Sequence, residues 1–413
     1  ITNTGASNTG LGHKALRIST GGSNTAIGWG TLTNNTTGSQ NTAVGNSALQ
    51  NNTTGVFNTA LGLGALKDNT EGDRNTATGY TALRNNTTGI GNVANGWGAL
   101  AGNTTGGQNH AIGYNSLVSN TAGSGNCTLG GGTLNKNIDG DYNIAIGHAA
   151  LRDKTAGDYN IAIGSGAMQF TEDANNNIAA GRSALSNHTT GDENIALGLF
   201  SLTGNTTGTG NVAIGTSAGY SSAAGSNNVF IGKYAGVNGI GSGNVFLGYE
   251  AGKNESEDNK LHIGNSATNT LIYGDFASGR VGIGTTAPDA ELHVEGNIKM
   301  VDGSQAAGLV LTSDANGVGT WQAGAGDNDW TIDGADMHSS VTGNVGIGTT
   351  TPATELDVNG RITGTGLTVP GGSITTDAIA SNTFLGQSAG SSNTTGTQNT
   401  AVGNGTLQLN TTG

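Results

Sequence analysis

Four aspartates stand at matching places in the chain: Asp73, Asp141, Asp158 and Asp192 each lie two residues before an asparagine, namely Asn75, Asn143, Asn160 and Asn194. If the stretch from Asp141 to Asp158 makes one coil of a stacked structure, the two carboxylates come within ~5 Å, the spacing of adjacent strands. A pair at that distance suits a retaining glycoside hydrolase, one acid serving as nucleophile and the other as proton donor and base. Asn175 takes the same place in the following copy and interrupts the column, and no aromatic platform for sugars recurs beside the acids. A solvated turn accepts acids without catalysing anything, and stacking alone sets their spacing. That plainer reading is adopted.

Other chemistry finds less support. Oxygen-rich turns, and "DNDW" at Asp327–Trp330, invite Ca²⁺, but neither an EF-hand nor the "GGxGxD" repeat of calcium-dependent β-rolls is written here. His13, His110, His148 and His188 show no metal-ligand spacing and read as surface or filler residues. "GIGTT" opens no helix and is not a phosphate loop, and no nucleophile elbow accompanies the serines. Cys127 sits in a slot elsewhere filled by Thr, Ile or Val and reads as a small apolar side chain. Recurrent Thr pairs raise an ice-binding reading, yet they adjoin Gly in turns rather than line a flat strand face. The "N-x-T" triplets, such as Asn52-Thr53-Thr54, are glycan acceptors only in a eukaryotic secretory route. The sequence names no catalytic, cofactor-binding or metal residue; the chain is expected not to be an enzyme and to carry no cofactor.

What positions these residues is a repeat. Taking the Asn of each "N-x-A-x-G" as a marker gives Asn8, Asn24, Asn41, Asn58 and onward to Asn244, spaced 17 residues apart with a 16 at each end. The fourth residue after each marker is Gly, the eighth is Leu through most of the series, and "NNTTG" or a variant closes the unit. A chain of 413 residues with 75 Gly and only 10% charged residues is no ordinary globular domain, and its strict periodicity argues against a flexible linker. Seventeen residues cannot make two helices, and no 3.6-residue stripe appears. The expected fold is all-β: a parallel β-roll or β-solenoid, one coil per unit, with a short strand, a Gly bend, a second short apolar strand and a polar turn. Coils ~4.8 Å apart place each side chain over its counterpart, so Asn amides and Thr side chains should form ladders.

Alternate strand residues face opposite ways. Neither face of the first strand is charged, so one is expected to fill the coil and the other, where Ala with Gly permits close approach, to meet a neighbouring chain. The expectation is a parallel homotrimer. At Asn228 and Asn244 the second position becomes Phe230 and Phe246 while the eighth becomes Gly236 and Gly252; Asn382 repeats the exchange with Phe384 and Gly390. Volume moves between two sites that must share one space, and these coils read as end caps. The resulting plan is a β-roll shaft over 1–258, a cap or neck over 259–280, a β-module over 281–381 with two "VGIGTTxPxxEL" repeats, and a second β-roll beginning at 382–413. The repeats "GRVGIGTTAPDAELHVEGNI" and "GNVGIGTTTPATELDVNGRI" suggest short antiparallel or interchain strands, and "GLVLTSDANGVGTWQ" two strands around an Asp-Ala-Asn-Gly turn. The net charge of -13 speaks against nucleic acid, and no apolar run is long enough to span a membrane. Ile1 and Gly413 both fall inside repeats, so the sequence reads as an excerpt of something longer.

The "NTAIG" units, Asn24–Gly28 and their copies, resemble the head repeats of trimeric autotransporter adhesins, which are left-handed parallel β-rolls of three chains with a shorter repeat. "NVFIGKYAG", "NVFLGYEAG", "NKLHIGNSATNTLIYGDF" and "VGIGTTAPDAELHVEGN" are more specifically similar to tail-fibre-domain proteins of Bacteroidetes and their phages. The resemblance covers nearly the whole chain. It implies a structural shaft of an extracellular fibre or filament, on a cell surface or an injection device, with a second role in adhesion to a glycan or receptor and with end-to-end joining as a further possibility. The competing expectations are a glycan-degrading spike and an ice-binding or other surface adhesin.

Overall fold

A computed structural model describes residues 4–323 and, beyond them, the strand segments 331–333, 336–338, 345–347, 356–358, 383–385 and 400–402. The chain divides into two units, Ile1–Lys299 and Met300–Gly413. The first is a parallel β-solenoid: three-residue strands from β1 (Thr9–Leu11) to β15 (Val245–Leu247) stack in sequence order, each paired in parallel with the next. Register is kept residue for residue, as in Thr42↔Thr59, Ala43↔Ala60 and Val44↔Leu61. No helix occurs among the described residues.

One coil shows how the sequence makes the turn. After the strand Thr42–Val44, Gly45 takes φ +129°, and a Cβ there would lie 2.5 Å from the Gly62 carbonyl oxygen of the next coil. Ser47 (φ 58°) and Leu49 (φ 48°) are then left-handed, as is Phe57 (φ 60°) just before the next marker. The expected second strand around Ala48–Leu49 therefore does not form; the segment is a turn. The reason is volume. Beside the ladder residues Asn41 and Asn52, the interior holds only Ala43, Ala48 and Leu49 from this coil, all fully buried, so the chain must come round tightly. A left-handed Leu costs ~1–2 kcal/mol, and burying its side chain returns ~1.5–3 kcal/mol.

The facing of the strand also differs from expectation. The Ala at its second position points into the coil and is fully buried at Ala26, Ala43, Ala77 and Ala94. The first and third positions, Thr, Ile, Val and Leu, look outward: Leu61 is 49% exposed, Ile112 43% and Ile163 43%. The inward Leu of the turn leaves room for only a methyl on the strand opposite it. The larger, β-branched residues are thereby sent to the outer face.

Hydrogen bonds run along the stack. Each marker Asn ties neighbouring coils: Asn92 Oδ1 accepts from Asn109 N (3.0 Å), and its Nδ2 donates to Gly106 O (2.9 Å) and Asn75 Oδ1 (3.1 Å). A second ladder links the inner Asn of each "NNTTG", with Asn52 Nδ2 donating to Asn35 Oδ1 (2.7 Å) and so on to Asn137 and Asn120 (2.7 Å). The first Thr of that turn donates its hydroxyl to the carbonyl of its counterpart one coil on, as Thr53 does to Thr70 O (2.8 Å). The Asn and Thr columns anticipated from the repeat are thus both present.

At its C-terminal end the roll is closed by aromatic rings. A Cβ on Gly236 would lie 2.6 Å from Phe230 Cδ1, and one on Gly252 2.6 Å from Phe246 Cγ, so the rings occupy the room that Leu takes elsewhere. The interior column continues from Phe230 to Phe246 (5.3 Å between centroids), His262 (5.2 Å) and Tyr273 (5.1 Å). His262 lies on β16 (Lys260–Gly264), parallel to β15, and Tyr273 on β17 (Thr270–Asp275), which turns back antiparallel. β18 (Arg280–Ile283) follows antiparallel to β17. β19 (Leu292–Val294) then pairs in parallel with β18, Val281↔Leu292, where antiparallel or interchain pairing was expected. The "VGIGTTAPDAEL" stretch therefore makes one more, shorter coil, because the Pro-centred bend carries the chain round instead of back.

Within the second unit, β20 (Leu309–Ser313) and β21 (Gly319–Ala323) form the hairpin read from the sequence. Asp314 Oδ1 accepts from Asn316 N and Val318 N, both at 2.8 Å, which fixes the turn. Val345–Ile347 pairs in parallel with Leu356–Val358, as β18 does with β19, and Thr383–Leu385 with Thr400–Val402. The readings on Asp327–Trp330, Asn382 and Gly390, and on the side chain of Phe384, lie outside the described residues.

Candidate functional site

The aspartate column is brought together as the repeat implied, and its carboxylates have structural partners. Asp158 Oδ1 accepts from Asp141 N (2.7 Å), Asp141 Oδ1 from Ser124 N (2.6 Å), Asp73 Oδ1 from Val56 N (2.7 Å) and Asp192 Oδ1 from Asn175 N (2.7 Å). Asn175 does the same for Asp158 N (2.8 Å), and Ser39 and Ser124 hydroxyls do it for Gly22 N and Gly107 N. Asp, Asn and Ser are interchangeable here because one acceptor oxygen is all the turn needs. The interruption at Asn175 is no interruption of this role.

The outer strand face is a continuous surface free of acidic and basic side chains other than His110. From Thr25 to Leu247 its first and third strand positions carry Thr, Ile, Val, Leu, Ala, Asn95, His110 and Cys127 and no Asp, Glu, Lys or Arg. Aromatic stacks flank it: Tyr80, Trp97 and Tyr114 lie face to face at 5.7 and 5.0 Å, and Tyr142 and Tyr159 at 5.2 Å, the last pair directly after Asp141 and Asp158, where no aromatic surface was expected. His13 stacks on Trp29, and the Arg182 guanidinium sits 4.9 Å over Phe200. In each of these stacks, neighbouring coils hold the rings or cations together, so they follow from the repeat itself. His110 and Cys127 sit on the outer face and His148 on the exposed turn beside it.

His188 departs from the surface reading: it is fully buried, and so is Lys154. Both stand where the inner Asn of "NNTTG" stands elsewhere, as does buried Thr171 between them. The rung's task is to donate to the carbonyl three residues on. Asn103 donates to Gly106 O (2.9 Å), and Lys154 Nζ and His188 Nε2 reach Gly157 O and Gly191 O in the same manner. What they lack is the second hydrogen bond, which an Asn rung donates to the rung before it. Asn137 Oδ1, Thr171 Oγ1 and His188 Nδ1 are buried without partners, as is Ser222 Oγ further along the same column. Burial pushes the Lys154 ammonium down to about 8, against the pull of Asp158, Asp173 and Asp139. Burial likewise lowers His188, against its bonds to Gly191 and Asn205 and the charge of Asp192. The signal was legible: aligning "NNTTG" shows Asn through Asn137 and then Lys, Thr and His.

At the closed end an open hollow of about 480 Å³ is lined by Lys253, Glu255, His262, Thr270 and Tyr273 among others. His262 spends both ring nitrogens there, on Glu255 Oε2 and Thr270 Oγ1, each at 3.1 Å. Lys260 bridges Glu257 (3.1 Å) and Asp275 (3.3 Å), pinning the closing hairpin to the last coil. Among the described residues no three His, Cys, Asp or Glu converge to hold a metal, and no helix is long and apolar enough to cross a membrane. No family model, curated protein or solved structure matches the chain.

Proposed function

We propose that the chain is the structural shaft of an extracellular fibre or filament, assembled as a parallel homotrimer through its outer strand faces. The observation that carries this is the uncharged Thr/Ile/Val/Leu strip, which runs in unbroken register along the solenoid. Fifteen coils at strand spacing make that strip about 70 Å long, and a three-residue strand is about 10 Å wide. The strip then offers about 700 Å² per chain, close to the ~800 Å² per partner of a stable interface. Its side chains repeat at the coil spacing, so a partner matching it along its length must have the same repeat, and a parallel copy does. Three is the number that the resemblance to fibre and adhesin repeats implies. A shaft needs stiffness, and continuous hydrogen-bonded ladders supply it. Adhesion to a surface glycan or receptor is a second role in this reading, carried by the variable turn residues beside the strip.

Light scattering together with electron microscopy of the purified protein tests the proposal. A species of three chains seen as a thin straight rod is expected. A monodisperse monomer overturns the assembly, and a globular particle overturns the shaft.

A further inference from the structure

We propose that the three coils carrying Lys154, Thr171 and His188 form a seam at which the roll opens locally before it unfolds as a whole, and that acid opens this seam further. The inference does not depend on the shaft reading. It rests on where the ladder fails. From Asn35 to Asn137 every inner rung hands an amide hydrogen to the rung before it, at 2.7–2.8 Å. At the next three rungs there is no Asn, and every buried polar side-chain atom without a partner among the described residues belongs to this one column. A buried group with no partner favours whatever opening lets water reach it. Four such atoms collected over rungs 137 to 222 therefore concentrate the tendency to open in one place.

The acid response follows from the ring. His188 Nε2 carries the hydrogen donated to Gly191 O, which leaves Nδ1 as an unmatched lone pair in a fully buried setting. Protonating Nδ1 puts a charge into that buried setting, whereas in an opened coil water solvates it. The charges around it are Asp192 beside the ring and, two rungs away beyond Thr171, Lys154 with Asp139, Asp158 and Asp173. The folded ring takes its proton below the usual 6.5, so the opened chain holds more protons there, and stability falls as pH drops below about 6.5. Lys154 acts at the other end of the scale. Its folded value near 8 against 10.5 means that its cost is complete below about 8 and relieved only as pH rises between the two. At neutral pH the lysine is a steady burden on the seam; the histidine adds a variable one in acid.

Hydrogen exchange of the full chain, read by mass spectrometry and normalised to intrinsic rates, tests this. Protection over residues 150–192 is expected to be about tenfold lower than over 41–103 at about pH 7.5, with a further several-fold drop at about pH 5 confined to the first region. The triple substitution K154N/T171N/H188N restores the ladder and is expected to bring both regions level at both pH values. Uniform protection in the parent chain overturns the proposal, as does a folded triple variant that keeps the difference. Should the triple variant not fold, N86H decides by moving the defect into the intact ladder. A new acid-sensitive region around residues 86–103 supports the seam, and unchanged protection there overturns it.

Discussion

At the scale of single residues the roll is held by side-chain amides that stand in for backbone. Removing Asn92 to Ala strands Asn109 N inside the stack, while Gly106 O keeps its bond from Asn103 Nδ2. The expected loss is about 1–3 kcal/mol in denaturant unfolding, from one buried group left unmatched. Asn85, exposed in the adjoining turn, is the control, and N85A should lie within ~0.5 kcal/mol of the parent. The aspartate column makes the opposite case. Since Asn175 already serves as acceptor where Asp158 and Asp192 serve, D73N should leave the melting temperature unchanged, while D73A should lower stability by about 1 kcal/mol. A larger fall for D73N would mean that the negative charge itself matters in this turn.

At the scale of elements, the Phe/Gly exchange that closes the roll is a packing relation between two positions, and it can be run in reverse. G236L alone drives a side chain into the Phe230 ring, and F230A alone empties the space. Each should cost about 2–4 kcal/mol, and the double variant F230A/G236L, which rebuilds the Ala/Leu pair of the middle coils, should recover most of that. Additive losses in a double-mutant cycle would show that the two sites do not share their volume. This exchange was visible in the sequence because it repeats at Asn228 and Asn244, and repetition is what makes a roll legible. The period gave the coil count, the parallel register and both ladders. What it did not give was direction. Leu49 reads as a strand residue because Leu is common in strands, and nothing in its neighbours announces a left-handed turn. Ala43 and Val44 alternate, but alternation alone does not say which faces in; the narrowness of the interior decides it. Lys154 and His188 were overlooked for a different reason: a charged or titratable residue in a polar turn reads as solvated, and here that turn folds inward.

At the scale of the whole molecule, the reversal of the strand's faces moves the proposed chain-to-chain contact from Ala and Gly to Ile, Val, Leu and Thr. Paired substitution of Ile161 and Ile163 to Lys on one outward strand places charges in the strip without touching the interior Ala162. The expected outcome is dissociation to single chains in light scattering, with the β-sheet circular dichroism retained. An assembly that survives both lysines would place its contacts elsewhere. The same residue-for-residue stacking bears on how such a chain changes length over generations. Because every coil presents the same upper and lower surface as its neighbours, loss or duplication of one complete period leaves two ends that still match. Removal of half a period instead brings an outward residue over an inward one. Variants lengthened or shortened by whole periods are therefore expected to fold into rolls that differ only in their number of rungs, a ruler graduated in coils.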